Sequence, residues 1–250
     1  MAKTKWNVTF LVHRQKGDNP SRLEPFKLEV DPDEYVLDAI ERIWAFHDRT
    51  LCFRHACHHS VCGACGMRVN GVEKLTCITF IKDITKDGGT VKVEPLRHFP
   101  VESDLVIDMG PFYARLEAVG FPQVVALNQA PDPDSDTIAP DRNAPEDLFR
   151  LVDCIECAMC ISACPVPLTD PDYQGPAILA AIQHQGITKH PDLLAFADGR
   201  NGAWRCHSAY ECSEVCPSNV DPAWRIMDLR KQVVKARIKN LFHSKQESQP

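Results

Sequence analysis

The chain has 250 residues, enough for two modest domains each with its own core. Hydrophobic residues make up 44% and charged residues 25%, ordinary for a globular protein, and no window approaches about 18 uninterrupted apolar residues, so the pattern excludes a spanning helix. The net charge of −6 is uneven: residues 221–250 carry seven Lys or Arg against three acids, which leaves an acidic body and argues against nucleic acid as a partner.

The first residues, Met1 to Asn7, show no apolar signal region and no twin arginine, so no export signal is expected. Twelve cysteines in such a chain point to metal ligation rather than a disulfide framework. Residues 5–12 alternate as a strand, with Trp6, Val8, Phe10 and Val12 on one face. Residues 25–30 give a second strand, with Phe26, Leu28 and Val30 in phase, and Gly17 to Pro20 supply the turn. Asp31-Pro-Asp reads as a cap for a helix over 35–46, where Val36, Leu37, Ile40, Ile43 and Trp44 recur at helical spacing.

A cysteine loop follows: Cys57, Cys62 and Cys65, with Cys77 eleven residues beyond Cys65. The C-x4-C-x2-C…C spacing is that of plant-type [2Fe-2S] sites. Zinc is the competing reading, but it usually takes two separated cysteine pairs rather than three cysteines within nine residues. Gly63 and Gly66 allow the backbone to curl close to the sulfurs and donate its N–H groups to them. Residues 67–72 form a short hairpin with an Asn70-Gly71 turn that returns Cys77 to the loop. Cys52 lies outside the pattern and reads as a small buried hydrophobe. His55, His58 and His59 read as loop residues whose charge tunes the cluster. Residues 90–95 close this first domain as a strand, and residues 100–108 read as a connecting segment.

A proline- and aspartate-rich tract at 130–136 reads as a surface loop, and a helical pattern from Ala144 leads into a second cysteine run. That run is Cys154-x2-Cys157-x2-Cys160-x3-Cys164-Pro165, the spacing of bacterial-type ferredoxins, whose fourth cysteine serves a different cluster from the first three. A partner run, Cys206-x5-Cys212-x3-Cys216-Pro217, matches it at three cysteines and the proline, with Ala209 at the remaining ligand position. Exchange of the last cysteines gives a [4Fe-4S] cluster on Cys154, Cys157, Cys160 and Cys216. It leaves three thiolates, Cys164, Cys206 and Cys212, a set that suits [3Fe-4S]. Short helices are expected over 177–183 and after Pro191. A long last helix follows Asp221-Pro222, with Ile226, Leu229, Val233, Ile238 and Leu241 on one side and Arg225, Lys231, Lys235 and Lys239 on the other. The basic tail is either a solvated face or a contact for anionic lipid. The expected fold is α+β: a β-grasp [2Fe-2S] ferredoxin-like domain over 1–105 and an all-helical, bacterial-ferredoxin-like domain over 106–250. No dinucleotide fingerprint, P-loop or HExxH motif is present, so the chain reads as a wire between other proteins rather than a catalyst.

This set and order of motifs resembles the iron–sulfur subunit of succinate dehydrogenase and quinol:fumarate reductase over nearly the whole chain. The resemblance implies docking on a flavoprotein that holds FAD and on membrane-anchor subunits, at the cytoplasmic face of the bacterial plasma membrane. It implies electron flow from flavin through [2Fe-2S], [4Fe-4S] and [3Fe-4S] to quinone, or the reverse in a fumarate reductase; the other reading is a soluble multi-cluster ferredoxin that shuttles between enzymes. Cys57, Cys62, Cys65 and Cys77 would face the flavin, and Pro165 and His207 would lie near the quinone. His207 has a second reading as a shield for cluster sulfur. The chain departs from the family at His58-His59-Ser60, where Arg-Glu-Gly is common. It also has Thr169 where a quinone-bonding tryptophan is frequent, which implies a differently built quinone pocket.

Overall fold

Alternation of apolar and polar side chains makes Trp6–Arg14 a strand, β1, and Arg22–Val30 its antiparallel neighbour, β2. Phe10 lies opposite Phe26 and Val8 opposite Leu28, so both strands bury the same face. In the computed structural model, residues 5–120, 153–185, 187 and 191–246 are described. The first helix, α1 (Val36–Phe46), buries Val36, Ala39, Ile40 and Ile43 in the same core as Phe10 and Val12. Burial of one such aromatic or aliphatic side chain contributes about 1.5–3 kcal/mol.

The helix is not capped at Asp31. Asp31 instead closes a turn by accepting the Asp33 N–H at 2.9 Å, and the helix begins after Tyr35, whose backbone N–H donates to Asp38 Oδ2 at 3.0 Å. Trp44, expected in the core, is 38% exposed, and the Arg49 guanidinium lies 4.3 Å over its ring.

Strands β3 (Gly66–Val69) and β4 (Val72–Leu75) form the expected hairpin. Asn70 and Gly71 both have positive φ, +50° and +88°, the conformation that a two-residue hairpin turn needs to match strand twist. Strand β5 (Thr90–Glu94) runs parallel to β1 and antiparallel to β3, giving a mixed five-stranded sheet in the order β2-β1-β5-β3-β4. Residues 100–108 are more than a connection. They form a small antiparallel pair, β6 (Val101–Ser103) and β7 (Val106–Ile107), turned at Asp104.

Beyond residue 107 the described residues contain helices and no strands. These are α2 (Gly110–Ala118), α3 (Met159–Ala163), α4 (Pro176–Gln185), α5 (Pro191–Asp198), α6 (Glu211–Glu214) and α7 (Pro222–Gln246). Helices α4 and α7 pack together, burying Ile178, Leu179, Ile226, Leu229 and Val233. Arg225, expected on the outer face of α7, is 1% exposed. Its guanidinium donates to Gln183 Oε1 at 3.0 Å and to the Val220 carbonyl at 2.9 Å. Ile238, expected inside, is 49% exposed. The loop at 130–136, the helical pattern from Ala144 and the Leu241 side chain lie outside the described residues. No helix among the described residues is long and apolar enough to cross a membrane.

The chain forms two compact units that interleave in sequence. The first joins residues 1–110 with Ile155–Pro165 and Glu214–Pro217, and the second takes the other segments.

Candidate iron–sulfur sites

The first cysteine loop follows a stretch held by buried polar contacts. Asp104, 1% exposed, accepts from Arg14 Nε at 3.1 Å, from the Gln15 N–H at 3.0 Å and from the Cys52 N–H at 2.9 Å. Cys52 is half-buried, and its sulfur lies 3.6 Å from the Thr50 carbonyl. From there the backbone wraps around Cys57. The N–H groups of His59, Val61 and Cys62 approach Cys57 Sγ at 3.5, 3.3 and 3.4 Å. These donors, that of His59 foremost, pull the thiol down to about 6, so the sulfur is prepared as a thiolate ligand.

Cys65 and Cys77 are buried, and the Thr76 hydroxyl and N–H, adjacent to Cys77, both donate to the Cys65 carbonyl. Burial, then the hydrogen bond with Cys65, pushes the Cys77 thiol up to about 12. A buried thiol of that kind gives up its proton when a metal takes its place. Cys57 bonds the Cys62 thiol and faces Cys77, so the four predicted ligands gather at one place.

The backbone also fits an anionic cluster. His58 and Ser60 have φ of +58° and +62°. Alternate left-handed residues turn successive N–H groups into one concavity, the nest found at many iron–sulfur sites. The second run repeats the device. Glu156 and Ala158, two and four residues after Cys154, have φ of +52° and +62°. Ser208 and Tyr210, two and four residues after Cys206, have φ of +57° and +64°. Matching backbone hand at matching offsets supports the alignment of the two runs that puts Ala209 opposite Cys157. Cys157, Cys160, Cys164 and Cys216 belong to the first unit, and Cys154, Cys206 and Cys212 to the second.

Within the first unit the two cysteine loops touch. A Cβ on Gly63 would stand 2.8 Å from Cys157 Cβ and 2.8 Å from the Ile155 carbonyl. Gly63 has φ +69°, so its position asks for glycine twice, by backbone conformation and by close approach. The sequence marked Gly63 for curling the loop near its sulfurs, and its contact with the second loop was not legible there. A second unforeseen feature ties α3 to β4: the Ser162 hydroxyl donates to Glu73 Oε1 at 2.7 Å and accepts the Arg97 N–H at 2.8 Å. Glu73 is 5% exposed, with Arg68 and Arg97 each 3.5 Å from Oε1. His98, half-buried, hydrogen-bonds the backbone of Cys164, and burial, then the charge of Arg97, holds its ring below the usual histidine range.

Residues 9–114 match the family model of a 2Fe-2S iron-sulfur cluster binding domain, and residues 150–220 that of a 4Fe-4S dicluster domain. The chain is 37% identical to the fumarate reductase iron-sulfur subunit of Mycobacterium tuberculosis, covering 92% of this chain and 93% of that one. It is 33% identical to the succinate dehydrogenase iron-sulfur subunit of Paracoccus denitrificans, over 87% of this chain and 83% of that one. The chain belongs to the succinate dehydrogenase/fumarate reductase iron–sulfur subunit family. A solved structure of the Mycobacterium smegmatis Sdh1 complex in the apo form holds a chain that superposes with a TM-score of 0.77 at 26% identity, covering 94% of this chain and 98% of that one. The fold is thus the α+β arrangement expected of the family: an N-terminal 2Fe-2S ferredoxin-like domain and a C-terminal 4Fe-4S ferredoxin domain.

As an iron–sulfur electron-transfer subunit of this family, the chain has further positions of interest. Pro165 is half-buried directly after Cys164, and His207 is exposed directly after Cys206. Thr169 is exposed, with its hydroxyl donating to the Val166 carbonyl at 3.1 Å. Arg230 reaches from α7 to the carbonyls of Ala203 and Cys206 at 3.0 and 2.5 Å, which fixes the backbone at the start of the second half-site.

Proposed function

We propose that this subunit carries electrons between a flavoprotein partner and quinone in a membrane-bound succinate:quinone oxidoreductase. In this reading Cys57, Cys62, Cys65 and Cys77 hold [2Fe-2S]. Cys154, Cys157, Cys160 and Cys216 hold [4Fe-4S], and Cys164, Cys206 and Cys212 hold [3Fe-4S]. When bound, the clusters supply one-electron chemistry at potentials set by cluster type, charge and hydrogen bonding to sulfur. The protein supplies the rest: N–H donors at Cys57, exclusion of water around Cys65 and Cys77, and close approach of the two ligand loops. The observation that carries the proposal is the close approach of Gly63 to Cys157, where a Cβ would stand 2.8 Å from Cys157 Cβ, so that the first ligand loop lies against the second.

The FAD site and the succinate chemistry lie on the flavoprotein. Anchor subunits seat the complex on the cytoplasmic face of the bacterial plasma membrane, and Pro165 and His207 adjoin the quinone. Residues 1–105 and 106–250 are the functional halves, one toward flavin and one toward quinone. The second reading is the same wire run in reverse in a quinol:fumarate reductase, favoured by the 37% identity to a fumarate reductase subunit.

The test is purification of the intact complex from membranes, with paramagnetic resonance during a redox titration. The oxidised complex is expected to show a [3Fe-4S] signal and the reduced complex a [2Fe-2S] signal, with succinate–quinone reductase activity in the same fraction. An intact oxidised complex without the first signal would remove Cys164, Cys206 and Cys212 as a three-ligand set. Fumarate reduction by quinol outpacing succinate oxidation would select the second reading.

A further inference from the structure

Beside the first cysteine loop, a pocket of about 750 Å³ opens between α1 and residues 51–58. Glu41, His55 and His58 meet at its lining. His55 Nδ1 lies 3.2 Å from Glu41 Oε1, His58 Nε2 lies 3.2 Å from the same oxygen, and the two ring nitrogens are 3.2 Å apart. Three donor atoms thus form an almost equilateral triangle. A tetrahedral cation at about 2.0 Å from its ligands sets them about 3.3 Å apart, so the triangle has the edge of such a site.

A hydrogen bond between the two rings, His55 Nδ1 with His58 Nε2, accounts for their approach to each other but not for the approach of Glu41. Glu41 Oε1 is shut off from solvent and accepts no hydrogen bond, although two imidazoles stand at 3.2 Å. A cation held by the three atoms would satisfy this shielded carboxylate oxygen. The ligands are also held in place. The His55 ring stacks on Phe53 at 5.0 Å and 17°, and Glu41 sits on α1, whose opposite face is in the core. The His58 ring stands edge-on to that of His55, with centroids 5.2 Å apart at 85°.

We propose that Glu41 Oε1, His55 Nδ1 and His58 Nε2 bind a zinc-class divalent cation, with its fourth position open to solvent in the pocket. Two imidazoles and one carboxylate are the donor set of open zinc sites, and imidazole selects zinc over magnesium or calcium. The site is separate from the iron–sulfur ligands, since no sulfur is among its three donors. His58 nevertheless follows Cys57 directly, which sets the cation's charge beside the first cluster.

The test uses the full chain with its clusters reconstituted anaerobically and freed of zinc. The protein is dialysed against Zn²⁺, its metal content is measured, and the zinc K-edge absorption is recorded, which sees zinc without interference from iron. Wild type is expected to bind one zinc per chain, with nitrogen and oxygen neighbours at about 2.0 Å. Glu41→Gln and His55→Gln, each with unchanged iron content, are expected to weaken binding at least tenfold. Sulfur neighbours at about 2.3 Å would mean capture by cysteine and would overturn the proposal. So would wild type that binds no zinc, or variants that bind it as well as wild type. The wild-type spectrum alone decides if either variant loses its iron.

Discussion

Among the described residues, Arg14 and Asp104 are the most deeply buried ion pair of the first unit, 3% and 1% exposed. Removing one partner leaves the other charged and buried, which costs about 3–5 kcal/mol. Asp104→Ala leaves Arg14 paired with Asp48 and Glu24, so it is expected to lower the unfolding free energy by less than that, and to loosen the approach to Cys57, because Asp104 also holds the Cys52 N–H. Arg14 reaches Asp48 as well, at 2.5 Å. The Thr50 hydroxyl, then Arg14, hold the Asp48 carboxyl well below its usual range. A depressed carboxylate stabilises the fold fully above the unfolded value, about 3.9, and that contribution is lost as pH falls through the lower folded value. Asp48→Asn should therefore flatten the acid limb of a stability-against-pH curve below about pH 4 and leave its shape at neutral pH unchanged. Gly63 permits a controlled comparison. Gly17→Ala faces only left-handed backbone, φ +51° with nothing within 4 Å, at about 1–2 kcal/mol. Gly63→Ala adds contacts at 2.8 Å with Cys157 and Ile155, so its loss in melting temperature should clearly exceed that of Gly17→Ala.

Among the elements, α7 departs furthest from its sequence pattern. Its basic face is partly spent inside the protein. Arg225 is buried against α4, Arg230 braces Cys206, and Arg237 pairs with Asp198 at 2.5 Å. Lys231 and Lys235 remain exposed. If the tail seats the complex on an anionic surface, each contributes at most about 1 kcal/mol. Lys231→Gln with Lys235→Gln should shift membrane release to lower salt, and identical release across a salt series would exclude the lipid contact. Arg237→Gln should act instead on stability. The half-site at 206–216 carries its own prediction. Ala209 stands where Cys157 stands in the first run, between left-handed residues at the same offsets. Ala209→Cys should admit a fourth iron, abolish the oxidised [3Fe-4S] signal and slow quinone reduction more than dye-linked succinate oxidation.

For the molecule as a whole, the legible parts were those with a period or a fixed spacing. Two-residue alternation gave β1, β2 and β5, Asn70-Gly71 gave the β3–β4 hairpin, and cysteine spacing picked out the four cysteines that gather at the first loop. Arg14, Glu73 and Arg225 could not be read, because a buried charge looks like an exposed one until its partner, dozens of residues away, is known. Glu41, partly exposed on α1, reads as an outward polar position, and its approach to His55 and His58 depends on how the loop after α1 folds back. The β6–β7 pair escaped because its strands are only three and two residues long.

The interleaved first unit has a consequence for how the protein is made. Its sheet is complete at Glu94, yet the segment that covers Gly63 and meets Glu73 comes with residues 155–165, and the last piece with residues 214–217. A ribosome must release most of the chain before this unit can close. A nascent chain halted short of residue 155 would leave Gly63 and Glu73 without the segment that meets them in the finished unit.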